Sequence, residues 1–115
     1  MLVLGVGIEP GTPLEHLREA VAALGLAAFG VVATIDRRAG EPAVLALATG
    51  RALRTYPAAV LDTVDVPHPS AVVRRLTGTG SVAEAAAVLA AREVGAGVLV
   101  TPKQRGRGVT VAVAR

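Results

Sequence analysis

The apolar positions of this chain follow two periods, one typical of strands and one typical of helices. Apolar runs between glycines or polar residues predict strands over residues 2–7, 29–36, 97–101 and 109–114, with a weaker strand over 51–55. Apolar residues at helical spacing predict helices over residues 14–24, 42–49 and 82–92, with shorter helical segments over 57–62 and 71–76. Because strands and helices alternate, we expect an α/β fold: a single three-layer αβα domain, residues 1–115, with a mixed, mostly parallel sheet.

Capping patterns mark two of the helix starts. Thr12 is followed by Pro13 at the first helical position and by the carboxylate of Glu15, which predicts an N-cap at Thr12. Ser81 and Glu84 have the Ser-x-x-Glu spacing of a second capping box. The second pattern gives Glu84 a structural explanation that needs no chemistry.

Composition excludes several classes of protein. The 115 residues are 52% hydrophobic and include no cysteine, so we expect an ordered domain without disulfides, thiolate zinc sites or a cysteine nucleophile. The longest uncharged run, residues 20–35, is broken by glycines and is too short for a membrane helix, and residues 1–7 lack the charges of a signal peptide. We therefore expect a cytoplasmic protein with no membrane partner. His16 and His68 have no metal-ligand spacing, so no metal is expected.

The charge balance points to an anionic partner. The net charge is +3, and Lys103 is the only lysine among twelve cationic residues. Arginine binds carboxylates and phosphates through a planar fork of donors. Nucleic acid is not the expected partner, because few aromatic rings are available for base stacking and no known nucleic-acid-binding motif is present.

Two glycine-containing junctions are candidate binding loops. Gly5 and Gly7 end the first strand, as glycines do in dinucleotide-binding folds, but Gly11 is one residue too late for that fingerprint. The spacing therefore favours a tight turn. The segment from Thr77 to Ser81 precedes a capped helix, where free amides favour a carboxylate or a phosphate. A plain turn explains this segment equally well, and a nucleotide-binding regulatory domain remains an alternative.

Basic loops are expected to meet at one edge of the sheet. The carboxyl ends of parallel strands share an edge, and ligands bind there in open α/β folds. If the first, second and penultimate strands are parallel, Gly7, residues 36–41 and residues 102–105 converge at that edge. Residues 102–107, which contain three cations and a glycine, are predicted to form an exposed hairpin loop.

Five blocks spread over nearly the whole chain resemble the C-terminal domain shared by the CobE and CbiG proteins of cobalamin biosynthesis. Their order and spacing are more specific than any single glycine motif. The blocks are Gly5-Val6-Gly7, residues 33–42 from Ala33-Thr34-Ile35-Asp36 to Glu41-Pro42, Val66-Pro67-His68-Pro69-Ser70, residues 77–86, and Pro102-Lys103 with residues 109–115.

The resemblance implies an αβα fold and a role in assembling the corrin ring. CbiG proteins carry further domains and open a lactone on a cobalt-precorrin with release of acetaldehyde, whereas the length of this chain is similar to that of the free-standing CobE form. Our leading hypothesis is a protein that binds or delivers a precorrin, with other enzymes of the pathway as partners and no cofactor. The alternative is a component of the lactone hydrolase.

A corrinoid precursor is an apolar ring bordered by acetate and propionate carboxylates, so its site needs cations and backbone amides around an apolar floor. Glu41 and Glu84 are the candidate catalytic residues for proton transfer. Arg38 stands where the resembled family has a lysine, which keeps the charge but cannot form a Schiff base. The candidate ligand-binding residues are Gly5, Gly7, Arg38, Thr77, Gly78, Thr79, Ser81 and Lys103.

Overall fold

The computed structural model describes residues 1–26, 28–65 and 81–115. These contain five strands: β1 (Val3–Ile8), β2 (Val31–Ile35), β3 (Ala52–Tyr56), β4 (Leu99–Arg105) and β5 (Val109–Ala114). They also contain the helices α1 (Leu14–Ala23), α2 (Pro42–Ala48), α3 (Ala58–Leu61) and α4 (Val82–Val94), and a 3-10 turn over Asp36–Arg38. The block Val66-Pro67-His68-Pro69-Ser70, the predicted helix over 71–76 and the segment Thr77–Gly80 lie outside the described residues.

The strands form one mixed sheet in the order β3-β2-β1-β5-β4. The pairs β1–β2 and β2–β3 are parallel, whereas β5 is antiparallel to both of its neighbours. Four strands therefore point the same way, and β5 alone runs in the opposite direction. This arrangement confirms the predicted α/β class with a mixed sheet.

Helices cover both faces of the sheet. On one face, α1 and α2 pack against alternate strand residues that include Leu4, Val32 and Val111. On the other face, α3 and α4 pack against the residues between them, such as Val3 and Ala33. All five residues of β2 are buried, because helices cover this strand on both sides.

The alanine-rich helix α4 lies unusually close to β1. A Cβ atom built on Gly5 would stand 1.9 Å from the carbonyl oxygen of Ala83 and 2.8 Å from the Cβ atom of Ala87. These two alanines are four residues apart, so they lie on one face of the helix. The small residues of α4 and the missing side chain of Gly5 therefore permit this close packing.

The predicted N-cap at Thr12 is wrong. Helix α1 begins after Pro13, which occupies the N-cap position, and no side chain caps this end of the helix. The Thr12 hydroxyl group instead donates to the carbonyl oxygen of Glu9 at 2.8 Å and lies 3.3 Å from that of Gly108. It therefore ties the β1–α1 loop to the turn between β4 and β5 and is not used by the helix.

The predicted hairpin loop over residues 102–107 is also wrong in its extent. Strand β4 continues to Arg105, which pairs with Thr110 of β5. The turn is confined to residues 106–108, where Gly108 has a φ of 70° and the Gly106 N–H donates to Val109 at 2.7 Å. The basic side chains near residue 103 are therefore carried by a strand.

Candidate functional site

A cleft of about 870 Å³ opens at the edge of the sheet where the parallel strands end. Its walls are the ends of β1, β2 and β4, the first turn of α4, and the turn between β4 and β5. The volume falls within the range of small-molecule sites in proteins. The floor is apolar and includes Ile35, Val82 and Val109.

The cleft carries an excess of positive charge. Among the described residues, its charged lining consists of four cations and one carboxylate: Arg37, Arg38, Lys103, Arg105 and Glu9. The first turn of α4 adds the partial positive charge of a helix N-terminus. Together these groups favour an anionic ligand.

Arg38 is positioned by the backbone of a neighbouring strand. It lies in the 3-10 turn that follows β2, and its Nε donates to the carbonyl oxygen of Ile8 at 3.0 Å. The side chain is half-buried, and this contact fixes one edge of the guanidinium group at the end of β1. Its terminal nitrogens provide further donors beside the cleft.

Ser81 begins α4 as predicted. Its hydroxyl oxygen accepts a hydrogen bond from the backbone N–H of Glu84 at 3.4 Å, which confirms the Ser81 half of the predicted capping box. Ser81 itself lines the cleft. The side chain of Glu84 is fully buried, and its Oε2 accepts the backbone N–H of Lys103 at 3.0 Å. The start of α4 is thus bonded to the end of β4.

The structure brings together four of the residues proposed from the sequence. Gly7, Arg38, Ser81 and Lys103 all line the cleft, which confirms the expected convergence of loops at the carboxyl edge. A Cβ atom on Gly7 would make only ordinary contacts, the nearest at 3.6 Å from Val82.

Three other candidates lie elsewhere. Gly5 lies beneath α4, and neither it nor Glu41 nor Glu84 lines the cleft. Glu41 Oε1 accepts the backbone N–H of Gly11 at 2.8 Å, so this carboxylate holds the loop after β1. Thr77, Gly78 and Thr79 lie outside the described residues.

Sequence reasoning missed three charged residues of the lining as site candidates, Arg37, Arg105 and Glu9. Arg105 was placed in a loop, although its position two residues after Lys103 is a signal that both share one face of a strand. Glu9 directly follows β1, and nothing in its spacing distinguishes it from a surface residue.

Within residues 1–26, 28–65 and 81–115, no group of three or more His, Asp or Glu side chains could hold a metal ion. In the same part of the chain, no helix is both long and apolar enough to cross a membrane. The groups that the cleft lining offers to a ligand are cations, backbone donors and apolar surface.

Residues 2–114 match the family described as cobalamin synthesis G C-terminus. The chain belongs to this family and is a cobalamin biosynthesis protein of the CobE and CbiG type. Protein CobE from a Sinorhizobium species is 40% identical over an alignment of 125 positions, which spans 98% of this chain and 79% of that protein.

Two solved structures support the same assignment. A crystal structure of CobE, a protein from the vitamin B12 biosynthetic pathway, matches with a TM-score of 0.87 and 36% identity, over 98% of this chain and 91% of CobE. The cobalamin biosynthesis protein chiG from Agrobacterium tumefaciens matches with a TM-score of 0.65 and 27% identity, over 98% of this chain and 96% of chiG.

Proposed function

We propose that this protein binds a carboxylate-bearing precorrin or corrinoid in the cleft at the carboxyl edge of the sheet and holds it for another enzyme of the pathway. The observation that carries the proposal is the convergence of Arg37, Arg38, Lys103 and Arg105 with the first turn of α4 around an apolar floor. A corrinoid precursor has the matching chemistry, an apolar ring with carboxylates at its border.

The positions of the two candidate catalytic carboxylates favour binding over catalysis by them, and Glu9 is the carboxylate that the described part of the cleft lining contains. Glu41 and Glu84, the two candidates for proton transfer, each accept a backbone N–H and lie away from the cleft lining. A general acid or base must lie within hydrogen-bonding reach of the proton that it transfers. A binding or delivery role requires no such group.

The proposal is tested by titrating the protein with a metal-free corrinoid that carries free acetate and propionate groups, while its visible spectrum is recorded. We expect saturable binding with recovery of unchanged ligand after denaturation. A chemically altered chromophore together with released acetaldehyde would instead support the hydrolase alternative. Absence of any spectral change, with tight binding of a nucleotide, would support the regulatory alternative.

Two variants localise the site. Lys103→Ala removes a cation that lines the cleft, and we expect corrinoid affinity to fall by about 1 to 3 kcal/mol, the range for a charge-assisted contact. Arg107→Ala is the matched control, because Arg107 belongs to the adjacent turn but does not line the cleft and pairs with Glu19 at 2.6 Å. Equal affinity losses in the two variants would place the ligand elsewhere.

A further inference from the structure

Strands β4 and β5 do not pair residue for residue: their register shifts between Leu99 and Thr101 and again between Thr101 and Gln104. The second shift is the one beside the cleft. Thr101 stands opposite Val113 and Gln104 stands opposite Val111. Two residues of β4 therefore face one residue of β5, which defines a β-bulge. Such bulges redirect side chains and often lie next to binding sites.

The backbone of this bulge is completed by α4. Its two residues are Pro102, which has no N–H, and Lys103, whose N–H donates to Glu84 Oε2 at 3.0 Å. The Glu84 side chain is fully buried between the helix and the sheet. Because a half-buried N–H needs an acceptor, the carboxyl group replaces the partner that a regular ladder would supply.

Relative to the register at Thr101, this bulge decides which face of the sheet carries the cations at the end of β4. Continued from Thr101 without the bulge, the pairing would put Lys103 opposite Val111, whose side chain packs in the core against α1 and α2. A one-residue shift moves side chains to the other face. With the bulge, Arg105 stands opposite Thr110, and Lys103, Arg105 and Thr110 all line the cleft.

We propose that Glu84 is a positioning residue for ligand binding: its carboxyl oxygen holds the bulge that presents Lys103 and Arg105 to the cleft. This inference rests on the proposed corrinoid site and assigns Glu84 a role through β4, in place of direct contact with the ligand. The positioning role requires that residue 84 supplies an oxygen that accepts the hydrogen bond from the Lys103 N–H.

The single lysine makes the hydrogen bond directly measurable, because protein labelled with 15N-lysine gives one backbone amide signal, that of Lys103. Glu84→Gln keeps an acceptor oxygen, whereas Glu84→Met has a similar length and no acceptor. Val88→Ala is the control for a general loss of packing, because Val88 is buried on the same helix. We expect Glu84→Met to shift the Lys103 signal and to accelerate its hydrogen exchange about tenfold or more, while the other two variants remain close to wild type.

Corrinoid affinity provides the second measurement. We expect Glu84→Met to weaken corrinoid binding about tenfold and Glu84→Gln to keep most of the wild-type affinity. In a variant that already has alanine at positions 103 and 105, we expect Glu84→Met to cause little further loss of affinity. An undisturbed Lys103 amide in Glu84→Met, or an equal affinity loss in both backgrounds, would overturn the positioning role. If the wild-type protein binds no corrinoid, the proposed function fails, and the amide signal still decides whether Glu84 holds the bulge.

Discussion

At the scale of single residues, the two glycines of β1 have different tasks although they are two positions apart. We expect Gly5→Ala to lower the free energy of unfolding by about 3 kcal/mol, the upper part of the range for overpacking, because the new Cβ atom would overlap the Ala83 carbonyl group. Gly7→Ala meets only ordinary contacts and is expected to cost less than about 1 kcal/mol. Urea unfolding followed by circular dichroism measures both, and equal losses would contradict the assignment of Gly5 to helix packing.

Tyr56 gives the protein a titration in the alkaline range. Burial, followed by the charge of Glu93 and a 3.2 Å hydrogen bond from the tyrosine hydroxyl group to its carboxylate, raises the pKa of Tyr56 from 10.0 to about 12. The folded state thus holds the phenolic proton more tightly than the unfolded chain. The contribution of Tyr56 to stability is therefore complete below pH 10 and is lost as the pH rises from about 10 to about 12.

Because Tyr56 is the only tyrosine and tryptophan is absent, tyrosinate absorbance in the near ultraviolet reports its pKa directly. We expect Glu93→Gln to lower the Tyr56 pKa from about 12 while leaving it above 10.0, since burial is the largest cause of the shift. Arg107→Ala, which changes an exposed charge that does not contact the ring, is the control. An unchanged pKa in Glu93→Gln would remove Glu93 as a cause.

At the scale of elements, the N-terminus of α4 joins helix stability to the cleft. Ser81→Ala removes the hydroxyl oxygen that accepts the Glu84 N–H, and we expect a loss of about 1 kcal/mol in the free energy of unfolding. Thr49→Ala removes an exposed hydroxyl contact to Leu45 at the end of α2 and is expected to change stability by less than about 0.5 kcal/mol. Chemical denaturation of both variants makes the comparison, and similar losses would mean that the Ser81 cap contributes nothing specific.

Elements with local signals were predictable from the sequence. The buried strand β2, the proline-started helix α2 and the Ser81 cap each depend on residues close in the chain. The cap at Thr12 failed because its hydroxyl group bonds Glu9 and a turn almost a hundred residues away. Likewise, the end of β4 reads as a loop because its polar residues give no apolar alternation, whereas its pairing with β5 makes it a strand.

The candidate site, too, could be predicted only where its residues follow a local or general rule. The general rule for carboxyl edges predicted that Gly7, Arg38 and Lys103 would meet. The tasks of Glu41 and Glu84 were not predictable, because their partners are backbone N–H groups far along the chain, and no residue type marks a backbone donor.

At the scale of the whole molecule, the distribution of charge predicts a salt-dependent affinity for an anionic ligand. Raising the ionic strength from 0.01 to 0.15 M shortens the Debye length from about 30 to about 8 Å, so we expect corrinoid affinity to fall steadily. Spectroscopic titration at several salt concentrations should give a shallower dependence in Lys103→Ala and an unchanged one in Arg107→Ala. A wild-type affinity that is independent of salt would exclude the cations as ligand contacts.

The antiparallel strand β5 has a consequence for the order of folding, because it follows the other four strands in the sequence and lies between β1 and β4 in the sheet. It pairs along all six residues of β1, so Val3 stands opposite Ala114. Until residues 109–114 have been synthesised, β1 lacks one of its two partners and β4 has no strand to join. Productive folding therefore requires residues 109–114, and a chain that stops before Val109 would lose β5 together with Val109 and Thr110 of the cleft lining.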